Sequence, residues 1–371
     1  MYKPYGIDLH HYDINSLYPY AMLNKMPTGK PYFLTSRLLL NMKITAKKLG
    51  LEILDLCFGF LLVEVNCPST LERPVLPYRL KSGSLIFPTG KFKGVYFSEE
   101  LKYYRKFGYT FNIIKGYNYD DNSISTPFSD YVTKLYTSRI EAKNLGNSAM
   151  DFLYKLLLNS LFGRLGINKT NIKSTMINSE RLNDFIQHLD IVSVDEISNN
   201  FNLVKYIDSS ESNKTLNVAC AAAITTYARI KMSDAIVNND VYYTDTDSIF
   251  IKNRLPVDMV DNSRLGYFKE EAFVNEGIFI EPKTYALSTS ENKQIVKAKG
   301  VGSETFESIK AYYLHQFHEE SNVVLPFIRS WRNLQVNVRS IKVSKHHIFD
   351  KRLKVLDQNN KWIATLPINI D

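Results

Sequence analysis

The stretch VYYTDTDSIFI, residues 241–251, joins a strand-forming sequence to a feature that strands disfavour. Its two ends are β-branched and aromatic, which predicts two short strands connected as a β-hairpin. Between them lie two aspartates, Asp245 and Asp247, separated by one residue. Two carboxylates this close repel each other, so we expect something in the rest of the chain or bound to it, such as a divalent cation, to offset that repulsion. Taken alone, DTDS is more typical of a solvated acidic turn.

The composition is that of an ordinary globular chain. Its 371 residues are 44% hydrophobic and 23% charged, enough for two to three domains or one elaborate catalytic core. The net charge of +8 and the pI of 9.0 favour a polyanionic partner, nucleic acid first. An AT-rich genome would produce a similar lysine excess, so charge alone leaves both explanations open.

Other function classes are disfavoured by the same sequence. Cys57, Cys67 and Cys220 form no CxxC pair and no Cys/His cluster, so a zinc site is not expected and a reducing compartment is favoured. The apolar run LCFGFLLV at 56–63 is far shorter than the about 20 residues that span a bilayer, and we expect no membrane partner.

Local patterns predict the order of the elements. A strand ends near Asp13, and residues 30–127 alternate short strands with Gly and Pro turns. A helix over 129–143 has Ser129 or Asp130 as its candidate N-cap, and a second helix from 149 closes at Gly163 and Gly166. Residues 167–214 predict a polar, irregular insertion. A long helix with small residues on one face follows, which favours close packing on a sheet, and the last ~70 residues are mixed.

Three carboxylates lie at strand-to-turn junctions: Asp13, Asp245 and Asp247. One sheet that brought these junctions together would create a concentrated negative site. Carboxylate oxygens are preferred ligands of Mg²⁺, and two metal ions can stabilise both oxygens of an in-line phosphoryl displacement. The constellation therefore predicts a site for Mg²⁺, two ions with Mn²⁺ as a substitute.

The predicted helices supply complementary groups. Lys155, Asn159, Phe162 and Gly163 follow at i, i+4, i+7 and i+8, which places a cation, an amide, a ring and a gap on one helical face. Such a face suits a triphosphate and a base pair. Arg139 and Lys143, at i and i+4 of the preceding helix, add two cations. Alone, this last pair is more typical of an exposed solvated face.

These residues resemble a known family. DINSLYP at 13–19 resembles motif A of family B DNA polymerases, D-x-x-S-L-Y-P; KLLLNSLFG at 155–163 resembles motif B, and YTDTDS at 243–248 resembles motif C. EPKTYAL at 281–287 adds a K-x-Y element. The long gaps around motif B and FPTGKFKGVYFSEEL at 87–101 resemble the protein-primed branch, which includes phage replicases and polymerases of linear mitochondrial plasmids.

The resemblance implies an α+β right-hand core, with a palm built on an antiparallel sheet, helical fingers and a small thumb. It divides the chain as follows: palm with motif A, 1–29; an insertion like terminal-protein region 1, 30–127; fingers, 128–166; an insertion like terminal-protein region 2, 167–214; palm with motif C and K-x-Y, 215–302; thumb and C-terminal part, 303–371. The chain start, just before motif A, predicts a polymerase core lacking the exonuclease domain.

The resemblance also implies roles, transferred motif by motif. Asp13 and Asp247 would be direct ligands of both metal ions, and Asp245 would support them. Tyr18 would be the steric gate that excludes a 2′-OH. The other implied roles are backbone amides at the triphosphate (Ser16, Leu17), phosphate binding (Arg139, Lys143, Lys155), the nascent base pair (Asn159, Phe162) and the primer end (Lys283, Tyr285). Phe162 stands where the family usually has Tyr, so a hydroxyl contact is lost and altered fidelity or nucleotide affinity is expected.

The implied function is a DNA-directed DNA polymerase that adds dNMP from dNTPs to a primer 3′-OH or to a terminal-protein hydroxyl, in replication of a linear plasmid or similar element. Expected partners are primer-template DNA, dNTPs and a terminal protein, and the expected location is the mitochondrion. Two alternatives remain open at this point: an inactive remnant that only binds DNA, and an interaction partner of a terminal protein without free-primer activity.

Overall fold

A computed structural model describes residues 1–167, 172–187, 189–207, 216–299, 304–315, 320–330, 335–344 and 351–370. Its first elements are β1 (Tyr5–Ile14), α1 (Leu17–Met22) and β2 (Met26–Pro27). The strand ends directly after Asp13, as predicted. Ser16 then takes a left-handed conformation, φ 51° and ψ 60°, and turns the chain into α1.

Residues 30–127 contain the predicted short strands and, in addition, two helices. The elements are β3 (Tyr32–Leu34), α2 (Ser36–Leu49), β4 (Gly59–Cys67), β5 (Tyr78–Arg79), β6 (Leu85–Ile86), β7 (Gly90–Phe97), α3 (Ser98–Tyr104), β8 (Thr110–Asn118) and β9 (Ile124–Ser125). Thr35 caps α2 by accepting the Leu38 N–H, and Gly50 ends it in the left-handed region. Four strands form an antiparallel sheet in the order β3-β8-β4-β7.

The next two helices, α4 (Ser129–Asn144) and α5 (Ser148–Leu165), pack against each other. The predicted N-cap of α4 is wrong, and of the two glycines predicted to close α5 only Gly166 does so. Phe128 occupies the N-cap of α4 without a side-chain bond, so neither Ser129 nor Asp130 caps it. Helix α5 continues through Gly163, because buried Leu158 and Leu165 hold its last turns on the core, and Gly166 is the C-cap.

The prediction that residues 167–214 are irregular is wrong for their described part. It forms β10 (Ile172–Asn178), α6 (Leu182–Ile186), β11 (Asp190–Ser198) and β12 (Phe201–Ile207), with an antiparallel sheet ordered β10-β12-β11. Only Val204 and Asn202 are buried in this sheet. A sheet that buries so few side chains needs few apolar residues. Its Asn- and Ser-containing strands were therefore not recognised from the sequence.

The remaining strands of the main sheet follow a long helix. The elements are α7 (Val218–Val237), β13 (Val241–Asp245), β14 (Ser248–Ile251), β15 (Phe268–Glu281), β16 (Thr284–Thr289) and β17 (Gln294–Ala298). As predicted, α7 packs on a sheet. Its small buried residues, Ala223, Ala228 and Ala235 among them, share one core with Tyr12 and Ile14 of β1.

All strands of the six-stranded main sheet are antiparallel, in the order β13-β14-β1-β15-β16-β17. The interior strand β1 lies between β14 and β15. In this register Asp13 is opposite Ser248 on one side and Lys269 on the other. The fold thereby joins the first residues of the chain to the hairpin at 241–251, and the α+β prediction is confirmed.

The C-terminal region is mixed, as predicted, with α8 (Phe306–His315), β18 (Glu320–Ser330), β19 (Gln335–Ser344), β20 (Leu353–Leu356) and β21 (Trp362–Leu366). β18 pairs with β19 and β20 with β21. Parts of the expected thumb (303, 316–319, 331–334, 345–350, 371), palm (300–302) and second insertion (168–171, 188, 208–214) lie outside the described residues, as does 215. Within the described ranges, no helix has the length and apolarity needed to cross a membrane.

Candidate active site

The β13–β14 turn gives its two aspartates different surroundings. Asp245 ends β13 and pairs with Ser248 at the start of β14. Between them, Thr246 adopts a positive φ of 62° and the Asp247 N–H donates to the Asp245 carbonyl at 2.8 Å. Because of this tight turn, the carboxylates of Asp245 and Asp247 have different neighbours.

Asp245 forms an ion pair with Lys283, a contact that the sequence analysis did not predict. The Lys283 Nζ lies 2.9 Å from one oxygen of Asp245 and 3.2 Å from the other. Lys283 is itself fixed, because its backbone N–H donates to the Tyr243 hydroxyl at 2.8 Å. The lysine of the K-x-Y element therefore neutralises the first aspartate of the hairpin.

Asp247 lies beside Asp13. The Ile14 N–H, next to Asp13, donates to the Asp247 carbonyl at 2.9 Å. Burial raises the pKa of Asp13 to about 7, and the nearby charges of Asp247 and Glu271 add to this effect. Burial also raises the pKa of Asp247, with a contribution from Asp245. The expected neighbourhood of these two carboxylates is therefore observed.

The surroundings of this pair fit a divalent cation. In the described part of the chain, neither Asp13 nor Asp247 forms an ion pair with lysine or arginine, and the two half-buried carboxylates repel each other. Among the same residues no group of three or more His, Cys, Asp or Glu side chains could hold a metal ion. The protein thus offers two carboxylates, and Mg²⁺ commonly takes one or two from the protein and further oxygens from phosphates and water.

The three predicted cations differ in their contacts. Lys155 is exposed on α5, and its charge lowers the pKa of both Asp13 and Asp247, so it lies within electrostatic reach of the pair. Lys143 is exposed in the last turn of α4, and no contact with the acidic pair is observed. Arg139 is engaged: its Nε donates to Asp151 Oδ1 at 2.8 Å and its Nη1 to Ser16 Oγ at 3.2 Å.

An aromatic stack joins α1 to α5. The rings of Tyr18 and Phe162 lie parallel, at a centroid distance of 4.4 Å. Asn159, one turn earlier on α5, is exposed. The Leu17 side chain is buried in the main core, which leaves only its backbone for any ligand.

Tyr285 is half-buried against other rings, with its centroid 5.5 Å from that of Tyr243. Tyr243 in turn stacks on Phe279 at 5.4 Å. This aromatic cluster supports the segment that carries Lys283. The predicted pair Lys283 and Tyr285 is therefore located beside the acidic turn.

Sequence reasoning missed four residues around the site. Lys269 and Glu271 of β15, which pair with each other at 2.8 Å, both act on the pKa of Asp13. Asn15 donates to the Asp261 carbonyl at 2.8 Å and so fixes the loop beside motif A, and Asp151 binds Arg139. Only Asp151 carried a usable signal, because it lies one helical turn before Lys155 on the same face.

Comparison with known proteins agrees with this architecture. Residues 1–241 match the family model described as DNA polymerase type B, organellar and viral. Probable DNA polymerases of Podospora anserina and Neurospora intermedia are each 33% identical, over 100% and 82% of this chain respectively. The DNA-directed DNA polymerase of Enterobacteria phage PRD1 is 25% identical over 79% of it.

The solved structure of phi29 DNA polymerase in complex with primer-template DNA and incoming nucleotide shares the fold, with a TM-score of 0.59 at 17% identity, over 91% of this chain and 58% of that one. The chain spans 32% of the length of each of the two fungal relatives and 48% of the PRD1 polymerase. The family model covers well over half of this chain. The protein therefore belongs to the organellar and viral branch of the type B DNA polymerase family.

Proposed function

We propose that this chain is the polymerase core of a DNA-directed DNA polymerase. In the reaction, a primer 3′-oxygen bonds to the α-phosphorus of a dNTP, the bond to the β-phosphate oxygen breaks, and pyrophosphate leaves. The observation that carries the proposal is the approach of Asp13 to Asp247 with Lys155 within electrostatic reach. It combines two neighbouring carboxylates with a cation that has no carboxylate partner among the described residues, in a basic protein.

Asp13 and Asp247 would hold Mg²⁺, with Mn²⁺ as a substitute. When bound, the metal would lower the pKa of the attacking hydroxyl and neutralise the triphosphate. Asp245 remains paired with Lys283. Its proposed role is therefore electrostatic support of the neighbouring ligand.

The other residues would bind and orient the substrates. Lys155, Arg139 and Lys143 would bind the phosphates, and the backbone amides of Ser16 and Leu17 would lie close to them. Tyr18 would pack under the sugar, while Phe162 and Asn159 would line the nascent base pair. Lys283 and Tyr285 would hold the primer end through contacts that carry no sequence information.

The broader assignments are also proposals. Residues 1–29 and 215–302 would form the palm, 128–166 the fingers and 303–371 the thumb, with insertions at 30–127 and 167–214 that would encircle DNA or dock a terminal protein. Protein-primed replication of a linear plasmid in the mitochondrion is supported by the organellar and viral character of the family and by fungal relatives.

A primer-extension assay tests the function. The full chain is incubated with dNTPs and Mg²⁺ or Mn²⁺, with and without a free primer, beside Asp247→Ala. We expect template-directed extension by the wild type and none by the variant. Salt-sensitive DNA binding without extension by the wild type would instead favour a DNA-binding remnant.

A further inference from the structure

Arg139 is held from two sides. Its Nε donates to Asp151, in the first turn of α5, and its Nη1 donates to the Ser16 hydroxyl beside motif A. The guanidinium therefore connects three segments: α4, α5 and the turn before α1. About a fifth of the Arg139 side chain is exposed (21%) and 31% of that of Asp151, so the ion pair is partly shielded from water.

The N–H donors of the Arg139 guanidinium are distributed over different partners. Asp151 takes the Nε edge, whereas Nη1 binds a neutral hydroxyl and Nη2 has no partner among the described residues. A phosphate can therefore bind to the terminal nitrogens without displacing the carboxylate. Arginine is suited to such a double task because its five donors form a rigid fork.

Both partners of Arg139 are themselves well fixed. Asp151 lies where the helix dipole favours a carboxylate, and its N–H bonds the Asn147 carbonyl at 3.0 Å. Ser16 has a left-handed backbone and its hydroxyl does not cap α1, so the hydroxyl is available to Arg139. The arginine is thus oriented before any ligand arrives, which lowers the entropic cost of binding one.

We propose that Asp151 is a positioning residue for the incoming nucleotide. Its carboxylate holds the Nε edge of Arg139 and keeps the terminal N–H groups beside Ser16, ready for the triphosphate. This inference rests on the proposed function. It assigns to Asp151 a role that acts through Arg139 and not through contact with the substrate.

The test is single-nucleotide insertion by Asp151→Asn with a primer-template and the correct dNTP. We expect KM for the dNTP to rise about tenfold, the cost of a lost charge-assisted hydrogen bond, with kcat and primer-template affinity little changed. Asp151→Glu, which keeps the carboxylate, should recover most of the affinity. The matched control is Asp240→Asn, which breaks a Lys3–Asp240 pair of similar exposure elsewhere in the fold.

Two further measurements separate the possible outcomes. In an Arg139→Ala background, Asp151→Asn should add no further rise in KM, because its effect acts through that arginine. The Kd of dNTP for a complex with a 3′-dideoxy primer is measured as well, so that binding is read without chemistry.

A lower KM in Asp151→Asn would mean that the carboxylate competes with phosphate, and would overturn the proposal. So would an unchanged KM, an effect that persists without Arg139, or a parallel loss of DNA affinity in both Asp151 variants. A wild type that neither extends primers nor binds dNTP would overturn the proposed function itself.

Discussion

The rings of Tyr18 and Phe162 lie face to face, with centroids 4.4 Å apart and planes inclined by 7°. Tyr18 belongs to α1, which follows the strand of Asp13, and Phe162 belongs to α5, which carries Lys155. Stacked aromatic pairs contribute about 0.5–1.5 kcal/mol beyond their area burial. The stack therefore fixes the ring proposed to contact the sugar.

Replacing Tyr18, the proposed steric gate, should change sugar selection. We expect Tyr18→Val to lower the preference for dNTP over rNTP by at least about tenfold, because the space under the 2′-carbon opens. Single insertions of matched rNTP and dNTP measure this ratio. Tyr20→Val, on the same helix, is the control, and unchanged discrimination in Tyr18→Val would remove the gate role.

Removing the ring behind the gate should have a related but smaller effect. Phe162→Ala takes away the support of Tyr18, so we expect a severalfold loss of sugar discrimination, about what one stacking contact is worth. Combined with Tyr18→Val, it should add little, since the two rings act as a unit. Additive effects of the two substitutions on the rNTP/dNTP ratio would contradict this coupling.

The two aspartates of the hairpin should differ in importance. Asp247→Ala should leave no detectable extension, a loss of roughly 10²- to 10³-fold or more, because it removes a proposed metal ligand, while DNA affinity stays similar or rises. Asp245→Asn removes the charge that pairs with Lys283, a lysine that is 62% exposed, and should cost about tenfold or less. Extension rates of the two variants at saturating Mg²⁺ measure both losses. Equal losses would show that the turn does not divide their roles.

Lys155 is expected to act on the nucleotide alone. Its charge reaches both Asp13 and Asp247, yet it has no carboxylate partner among the described residues. Lys155→Ala should raise KM for dNTP about tenfold or more without changing the Kd of primer-template. Lys134→Ala, an exposed lysine on α4, serves as the control. A defect in DNA affinity alone would argue against phosphate binding.

A buried ion pair should matter for stability. Arg229 Nε and Nη2 donate to the two oxygens of Glu100 at 2.6 and 2.8 Å, and the Glu100 side chain is fully buried. Glu100→Gln should lower the free energy of unfolding by about 2 kcal/mol, less than for a fully buried pair because Arg229 keeps contact with water. Urea unfolding with an unchanged slope measures it. Glu64→Gln, in the exposed pair with Lys93, should leave the midpoint unchanged, and equal shifts would contradict the prediction.

Local patterns were sufficient for the elements around the acidic pair. The strand before Asp13, the hairpin at 241–251, α5 and α7 all follow from alternation, helical spacing and caps. We predicted that these elements lie together on chemical grounds, because carboxylates at separate strand ends can form one metal site only if a sheet brings the strand ends together. The ordered register, with Asp13 opposite Ser248, then supplied the geometry.

Other parts depend on contacts between distant residues. The pairing of Lys283 with Asp245 spans 38 positions, and that of Arg139 with Ser16 spans 123, so neither leaves a periodic trace in the sequence. The sheet of β10, β11 and β12 was missed because its polar strands bury so little. The predicted caps of α4 are wrong because Phe128, which packs against the main core, occupies the N-cap position without a side-chain hydrogen bond.

Because the Ile14 N–H donates to the Asp247 carbonyl, hydrogen exchange of this amide reports whether the acidic turn is in place. That amide is slow to exchange with deuterium only while the acidic turn is seated against β1. Its protection therefore measures the integrity of the centre in the resting protein, independently of turnover. A variant that no longer extends primers but keeps this amide protected still holds the acidic turn against β1. A variant that loses both primer extension and protection no longer holds the turn in place.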